Sequence, residues 1–490
     1  MPPQQIKQHD RYKHGQFALV LSLVFTLFFL YLAVTRQTMV YTLISLAFIF
    51  ESLIQQLLLR RLVKEGVSPT DHSKRTRIYT LLQVFSLFTG NIFTASFAFR
   101  LRQAKETISY TFMTYIFIAD VFLVALTALN IFKPYVTNSF LIILISLISL
   151  TVIDGLFIHY LKADITETKS HRARIKLLIV FLMITALTGN VLRLLLSYQL
   201  YIHYIQTDES KREQSNQFWQ KITRSFTSML GLLFIVIIFS LSWMSTFTFV
   251  ESFAVENNYQ TLLLEPSLTH PFGTDNFGRD VYSRVVRGGV ISLTIGVLTT
   301  LIPMLIGGAL GAISGYFHPL VDQTVMRVLD ALYAIPGILL AIAIIAAFGS
   351  NTTNLVIALS IGAIPMFART MRANVLIIKK LEYIEASRAI GESEWKILFK
   401  HIVPNALAPM IVRATLAIGT AVIATSSLSF LGLGVEPHVP EWGNVLRVGS
   451  AYLETEPYLA IFPGLAIILL VLSFNFLGDG VRDALDPKMN

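Results

Sequence analysis

Long apolar blocks constrain this 490-residue chain more than any other feature. Phe17 to Val34, Leu141 to Ile153, Leu230 to Leu241, Ile291 to Ala312, Ile338 to Phe348 and Leu459 to Leu472 are each the core of a span near the ~20 residues that cross hydrocarbon. No soluble fold needs so many. The composition agrees, with 54% hydrophobic and only 14% charged residues, against roughly 25% charged in soluble domains. The expected class is an all-α integral membrane protein with about twelve transmembrane helices.

A net charge of +9 would suggest a nucleic-acid partner in a soluble protein. Here the lysines and arginines gather in short loops beside the spans, so the charge reads as orientation and contact with anionic lipid, and no nucleic acid is expected. The chain contains no cysteine, which excludes disulfides, thiolate metal sites and cysteine catalysis. The basic first ~15 residues lead into a long apolar run without a small-residue cleavage pattern, so a retained first helix is expected.

A polar segment, residues 206–224, has no apolar run able to cross a bilayer and divides the chain into halves. It reads as a cytoplasmic linker between an N-terminal membrane domain, 1–205, and a C-terminal domain, 225–490. In the C-terminal half, spans are expected over 226–250, 290–315, 330–348, 355–375, 407–431 and 458–477. In the N-terminal half, spans centre near Phe25, Phe48, Ser86, Val121, Ser146 and Met183. Thr89-Gly90-Asn91 recurs as Thr188-Gly189-Asn190, each after a basic entry, and one acid interrupts the second span of each set, Glu51 and Asp154. A tandem repeat of three-span units must invert, which would put the basic stretches 100–105 and 162–174 on opposite sides, against the charge rule. The spacing slips between copies, so chance similarity of apolar helices stays open beside true duplication.

Residues 382–405 form a charged loop between two spans. Ala386 and Ser387 are small enough for a partner's backbone to approach, Glu385 offers a carboxylate to a basic groove, and Gly391 can take positive φ and turn the chain. A second short helix from Glu392 to Ile402 is expected, with Pro404 starting a new one. At the other side, Asp275, Arg279, Asp280 and Arg284 sit in a Gly-rich stretch, where an aspartate can pair with an arginine while Gly273 and Gly278 supply turns. These residues could serve only to fold the loop. Trp442 either contacts an external partner or anchors at the membrane boundary. Glycines from 307 to 315, with Gly432 and Gly434, allow close packing or bending, and Asp330 is expected to pair with Arg327 one turn away. Glu51, Asp120 and Asp154 are ionisable groups at membrane depth, which are either functional or satisfied by packing against Asn91, Asn190 or His159. None of His270, His401 and His438 has metal-ligand spacing.

Glu385-Ala386-Ser387, Gly391, Ile402 and Pro404 resemble the EAA loop of ABC importer permeases. The stretch His270-Pro271-Phe272-Gly273-Thr274-Asp275-Asn276-Phe277-Gly278-Arg279-Asp280, with Ser283, Arg284 and Gly288, is similar to the HPLGTDxxGRDxxSRxxxG signature of dipeptide and oligopeptide importer permeases of the second-subunit type. Two further places follow in that family's order: Leu428 to Gly434 with Pro440 to Gly443, and the ending Pro463-Gly464, Phe474-Asn475, Gly478 to Gly480, Arg482-Asp483 and Asp486-Pro487. The resemblance covers about residues 226–488, and departs from the pattern at Ser387, usually alanine, and Val403, usually leucine.

The resemblance implies the type I permease fold for the C-terminal half and a multi-pass place in the bacterial cell membrane. It implies half of a translocation pathway for short peptides, with nickel chelates and other small solutes as substrates of relatives. The implied partners are a homologous permease chain in a heterodimer, two ATP-binding-cassette ATPase subunits and an extracellular solute-binding protein. No GxxxxGK[ST] occurs, so no cofactor is expected in this chain, and ATP and Mg would be bound by the ATPase subunits. No nucleophile-base-orienter set points to an enzyme. Buried acids and possible inverted repeats leave a self-contained secondary carrier open, and the N-terminal half could be a scaffold or sensor.

Overall fold

The computed structural model describes residues 3–36, 39–64, 74–102, 107–162, 169–206 and 208–486. The parts of the basic stretches at 103–106 and 163–168, and the tail from Pro487, lie outside them. Among the described residues the chain is helical, without strands beyond an isolated bridge between Thr274 and Asp280. Among the described residues nine helices are long and apolar enough to cross a membrane, or ten if one bent pair counts as a span. The chain divides into two compact units, residues 1–126 with 142–229, and residues 127–141 with 230–490.

The first unit contains α1 (Asp10–Arg36), α2 (Met39–Lys64), α3 (Lys74–Val84), α4 (Ile92–Leu101), α5 (Ile108–Ala128), α6 (Phe140–Lys162), α7 (Lys169–Thr185), α8 (Val191–Tyr204) and α9 (Glu209–Arg224). The spans expected near Ser86 and Met183 are not continuous. Each is broken at its Thr-Gly-Asn, where Gly90 and Gly189 take φ of 80° and 83°. Past the second break α8 folds back on α7, and Ser197 Oγ donates to the Ile179 carbonyl at 3.5 Å. At a rise of about 1.5 Å per residue neither arm of the first pair reaches across hydrocarbon. Each set thus holds two helices long enough to cross and a broken third element. The segment 206–224 is largely the helix α9, capped by Asp208 and packed into this unit through Trp219 on Phe112.

The second unit contains α10 (Phe226–Thr248, whose first turn belongs to the first unit), α11 (Val281–Tyr316), α12 (Pro319–Tyr333), α13 (Gly337–Phe348), α14 (Thr352–Ile378), α15 (Glu382–Ala389), α16 (Glu394–Phe430), α17 (Trp442–Ser450) and α18 (Tyr458–Leu485). The span expected over 330–348 is instead α12 and α13, bent by 82° at residues 334–336, where Pro336 removes a backbone donor. α11 packs so closely on α14 that a Cβ on Gly311 would lie 2.2 Å from the Ala368 carbonyl oxygen. That contact, not bending, explains the small residues there. Asp330 pairs with Arg369 of α14 at 2.7 Å rather than with Arg327, because α12 lies along α14.

Candidate functional site

The second unit has two polar ends. At one, residues 251–280 and 431–457 pack together, with Tyr458 Oη donating to the Leu264 carbonyl at 3.0 Å. We call this end the collar. At the other, α15 and the start of α16 pack against Tyr316 at the far end of α11.

The buried anchor of α15 is Ile384. Ile384 is fully buried among Tyr316, Phe367, Met371, Ile397, Leu398 and Ile402, while Glu385 and Ala386 are exposed. Ser387 is half-buried and donates to the Tyr383 carbonyl at 2.9 Å. Among the described residues the Glu385 carboxylate has no hydrogen-bond or ion-pair partner, so α15 presents a free anion on a fixed helix. The helix ends in a Schellman turn: the Gly391 N–H donates to the Arg388 carbonyl at 3.0 Å and the Glu392 N–H to the Ser387 carbonyl at 3.2 Å, with Gly391 at φ 85°. Past the turn, Glu392 meets Lys396 at 2.7 Å and His401 at 2.8 Å, which hold its carboxyl below the usual value, Lys396 foremost. Glu394 links Arg388 of α15 to the Tyr316 hydroxyl.

The second short helix expected over 392–402 is not separate. A wide turn over Ile397–Ile402 carries the chain without a break into the span, with buried Ile402 inside it. Pro404 has no N–H to give the carbonyl four residues back, and the turn before it takes up that loss by widening.

In the collar, Asp275 binds Arg279 Nε at 2.8 Å and also accepts from the backbone N–H of Phe277 and Arg279. Arg284 lies 3.8 Å from Asp275 and donates to the Ala254 carbonyl at 2.7 Å. Gly273 and Gly278 turn the chain at φ 74° and 73°. Asp280 caps α11 through the Ser283 N–H at 2.8 Å and hydroxyl at 2.6 Å, and its other oxygen is 3.0 Å from His270 Nδ1 and 2.6 Å from Lys133 Nζ. Burial pushes the Asp280 carboxyl up, but His270, Lys133 and Ser283 outweigh it and leave it below its ordinary value.

Residues 307–490 match the family model described as binding-protein-dependent transport system inner membrane component. A glutathione transport system permease protein of Pectobacterium atrosepticum is 42% identical over 284 residues, which are 58% of this chain and 94% of that protein. The protein of the same name in Escherichia coli is 44% identical over 276 residues, 56% of this chain and 90% of that one. The chain belongs to the binding-protein-dependent permeases of ABC importers. It is of the peptide-importer kind, a multi-pass protein of the bacterial inner membrane, and carries no ATPase domain in the part its family shares. A solved structure of the methionine ABC transporter MetNI in inward-facing form matches 41% of this permease and 96% of its own chain at 23% identity, with a TM-score of 0.35.

Trp442 is buried within the second unit. It is 1% exposed, its Nε1–H donates to the Val285 carbonyl at 2.8 Å, and its ring closes over Gly288 and Gly289. The apolar ring is worth more packed between α11 and α17 than at the surface. His438, four residues earlier, is exposed.

The permease's intramembrane acids are closed by its own side chains. Glu51 accepts from Thr89 at 2.6 Å and from Asn91 at 2.8 Å. Asp120 accepts from Asn190 at 3.0 Å, and Arg193 bridges Asp120 and Asp154. His159 plays no part in this set. The two Thr-Gly-Asn turns bond alike: Ser22 of α1 meets Asn91 and Thr94, as Asp120 of α5 meets Asn190 and Arg193. Sequence reasoning missed both cations, Arg193 and Lys133. A lone arginine inside the apolar run of α8 was the signal for the first, and Lys133 carries none, since its partner lies 147 residues away.

Proposed function

We propose that this permease forms half of the pathway of an ATP-driven importer of short peptides, and that α15 receives mechanical work from a cytosolic ATPase subunit. The observation that carries the reading is the free Glu385 carboxylate on a helix anchored by Ile384 and joined to α16 through the Gly391 turn and the Glu394–Arg388 contact. An ion on a rigid platform suits a basic groove on a partner. Bound ATP and Mg belong to that partner, and two ATPase subunits would drive two permease chains, this one and a homologue. The collar, at the opposite end of the second unit, would receive an external solute-binding protein that sets most of the selectivity. The glutathione permeases among its relatives favour peptides of that size over nickel chelates.

Charge supports the orientation. With the broken elements returning to the side they left, the basic stretches around 60–64, 74–77, 100–105 and 162–174 share one side, as the positive-inside rule requires. The same crossing count puts α15 on that side too. The test is Glu385→Lys in the assembled transporter, where peptide uptake should fall at least about tenfold with normal amounts of permease in the membrane. Unchanged uptake would remove the proposed role of this helix.

A further inference from the structure

We propose that residues 129–139, the loop between α5 and α6 that belongs to the second unit, are a strap that completes the collar, with Lys133 as the counter-charge Asp280 requires. The relatives above match only 56–58% of this chain, and nothing in the family reading gives the N-terminal half a task. The inference goes beyond the importer reading and assigns a task to this loop of it.

Contacts of three kinds meet at the strap. The first is electrostatic: the Lys133 and Asp280 side chains are 2% and 0% exposed at 2.6 Å, so the pair is out of water. The second is a cap made from a distance in sequence. A helix leaves its last carbonyls without intrahelical partners, and at the end of α10 the Phe247 carbonyl accepts from Thr137 and Ser139, each at 2.8 Å. Asn130 approaches the Thr248 carbonyl at 3.4 Å. The third is aromatic: Tyr135 stacks on Phe253 at 4.7 Å, its hydroxyl lies 3.2 Å from Ser252, and Lys133 Nζ is 5.3 Å from the same Phe253 ring.

The Lys133–Asp280 pair, buried on both sides, is not interchangeable with solvent. Asp280 caps the helix that runs the length of the second unit, and it sits among neutral donors and His270 once Lys133 is removed. A buried carboxylate deprived of its cation is strongly disfavoured, whereas a neutral amide in its place is not. Lys133 is therefore a positioning residue: it acts on the collar through Asp280 and needs no contact with substrate.

The test uses the full chain assembled with its partner subunits. Lys133→Met should lower uptake by at least about tenfold with the permease still present in the membrane, and Asp280→Asn added to it should bring uptake back to within about threefold of the parent, since the amide needs no counter-charge. Full activity of Lys133→Met, or a double variant no better than the single one, overturns the strap. A second readout does not depend on transport. In this cysteine-free chain, Tyr135→Cys with Ser252→Cys should be joined by a short bismaleimide in native membranes, with the joined peptides found by mass spectrometry. Failure to join them overturns the strap, whereas joining them in a chain that supports no uptake leaves the strap standing and removes the importer reading.

Discussion

Replacing Gly391 by alanine isolates the turn through which the proposed lever would act. Gly391 sits at φ 85° with nothing within 4 Å of the place a Cβ would occupy, so the added methyl meets no neighbour and only the backbone is penalised. A left-handed conformation costs an L residue about 1–2 kcal/mol. That is roughly 5–30-fold in the population of the Schellman turn. Asparagine tolerates this region better and should fall between glycine and alanine, and valine, branched at Cβ, should be worse than both. Two measurements follow in the assembled transporter: hydrogen exchange at the Gly391 and Glu392 amides, which are bonded to the Arg388 and Ser387 carbonyls, and peptide taken up per ATP hydrolysed. Exchange should rise in the order Gly, Asn, Ala, Val, and uptake per ATP should fall in the same order. Exchange that rises while coupling stays at the parent value would refute the claim that this turn transmits force.

Trp442→Phe should lower thermal stability by about 0.5–1.5 kcal/mol, the worth of the bond to Val285, and leave affinity for the solute-binding protein unchanged; lost affinity at unchanged stability would contradict the buried assignment. Arg193→Met strands two buried carboxylates and should cost about 3–5 kcal/mol, seen as loss of folded protein in detergent, with Asp120→Asn and Asp154→Asn together restoring it. Asp280 is held below its ordinary value of about 3.9, so its stabilisation is complete above that pH and is lost as pH falls through the lowered value. Melting temperature should therefore show no Asp280-dependent change between about pH 5 and 7 and fall under stronger acid, less so in Asp280→Asn; an Asp280-dependent loss beginning above about pH 5 would reverse the sign.

The membrane class, the collar turns at Gly273 and Gly278 and the stop at Gly391 were legible because each is local. Apolar length and glycine position state them within a few residues. The two broken elements of the N-terminal half were not read correctly, because the apolar residues on either side of Thr-Gly-Asn add up to the length of a span. Only the packing of α8 on α7 shows that the chain turns back. The partner of Asp280 was out of reach for another reason: an ion pair between residues so distant leaves no periodic trace. Trp442 misled because an aromatic in a polar segment has the same local sequence whether it anchors at a boundary or closes over glycines.

The most direct measurement of the central claim is crosslinking from Ala386→Cys, an exposed position in a chain with no native cysteine, performed in cells with working uptake. The account predicts capture of a cytosolic ATPase subunit, with a yield that changes when ATP is bound. Working uptake with no ATPase captured from this position would contradict it.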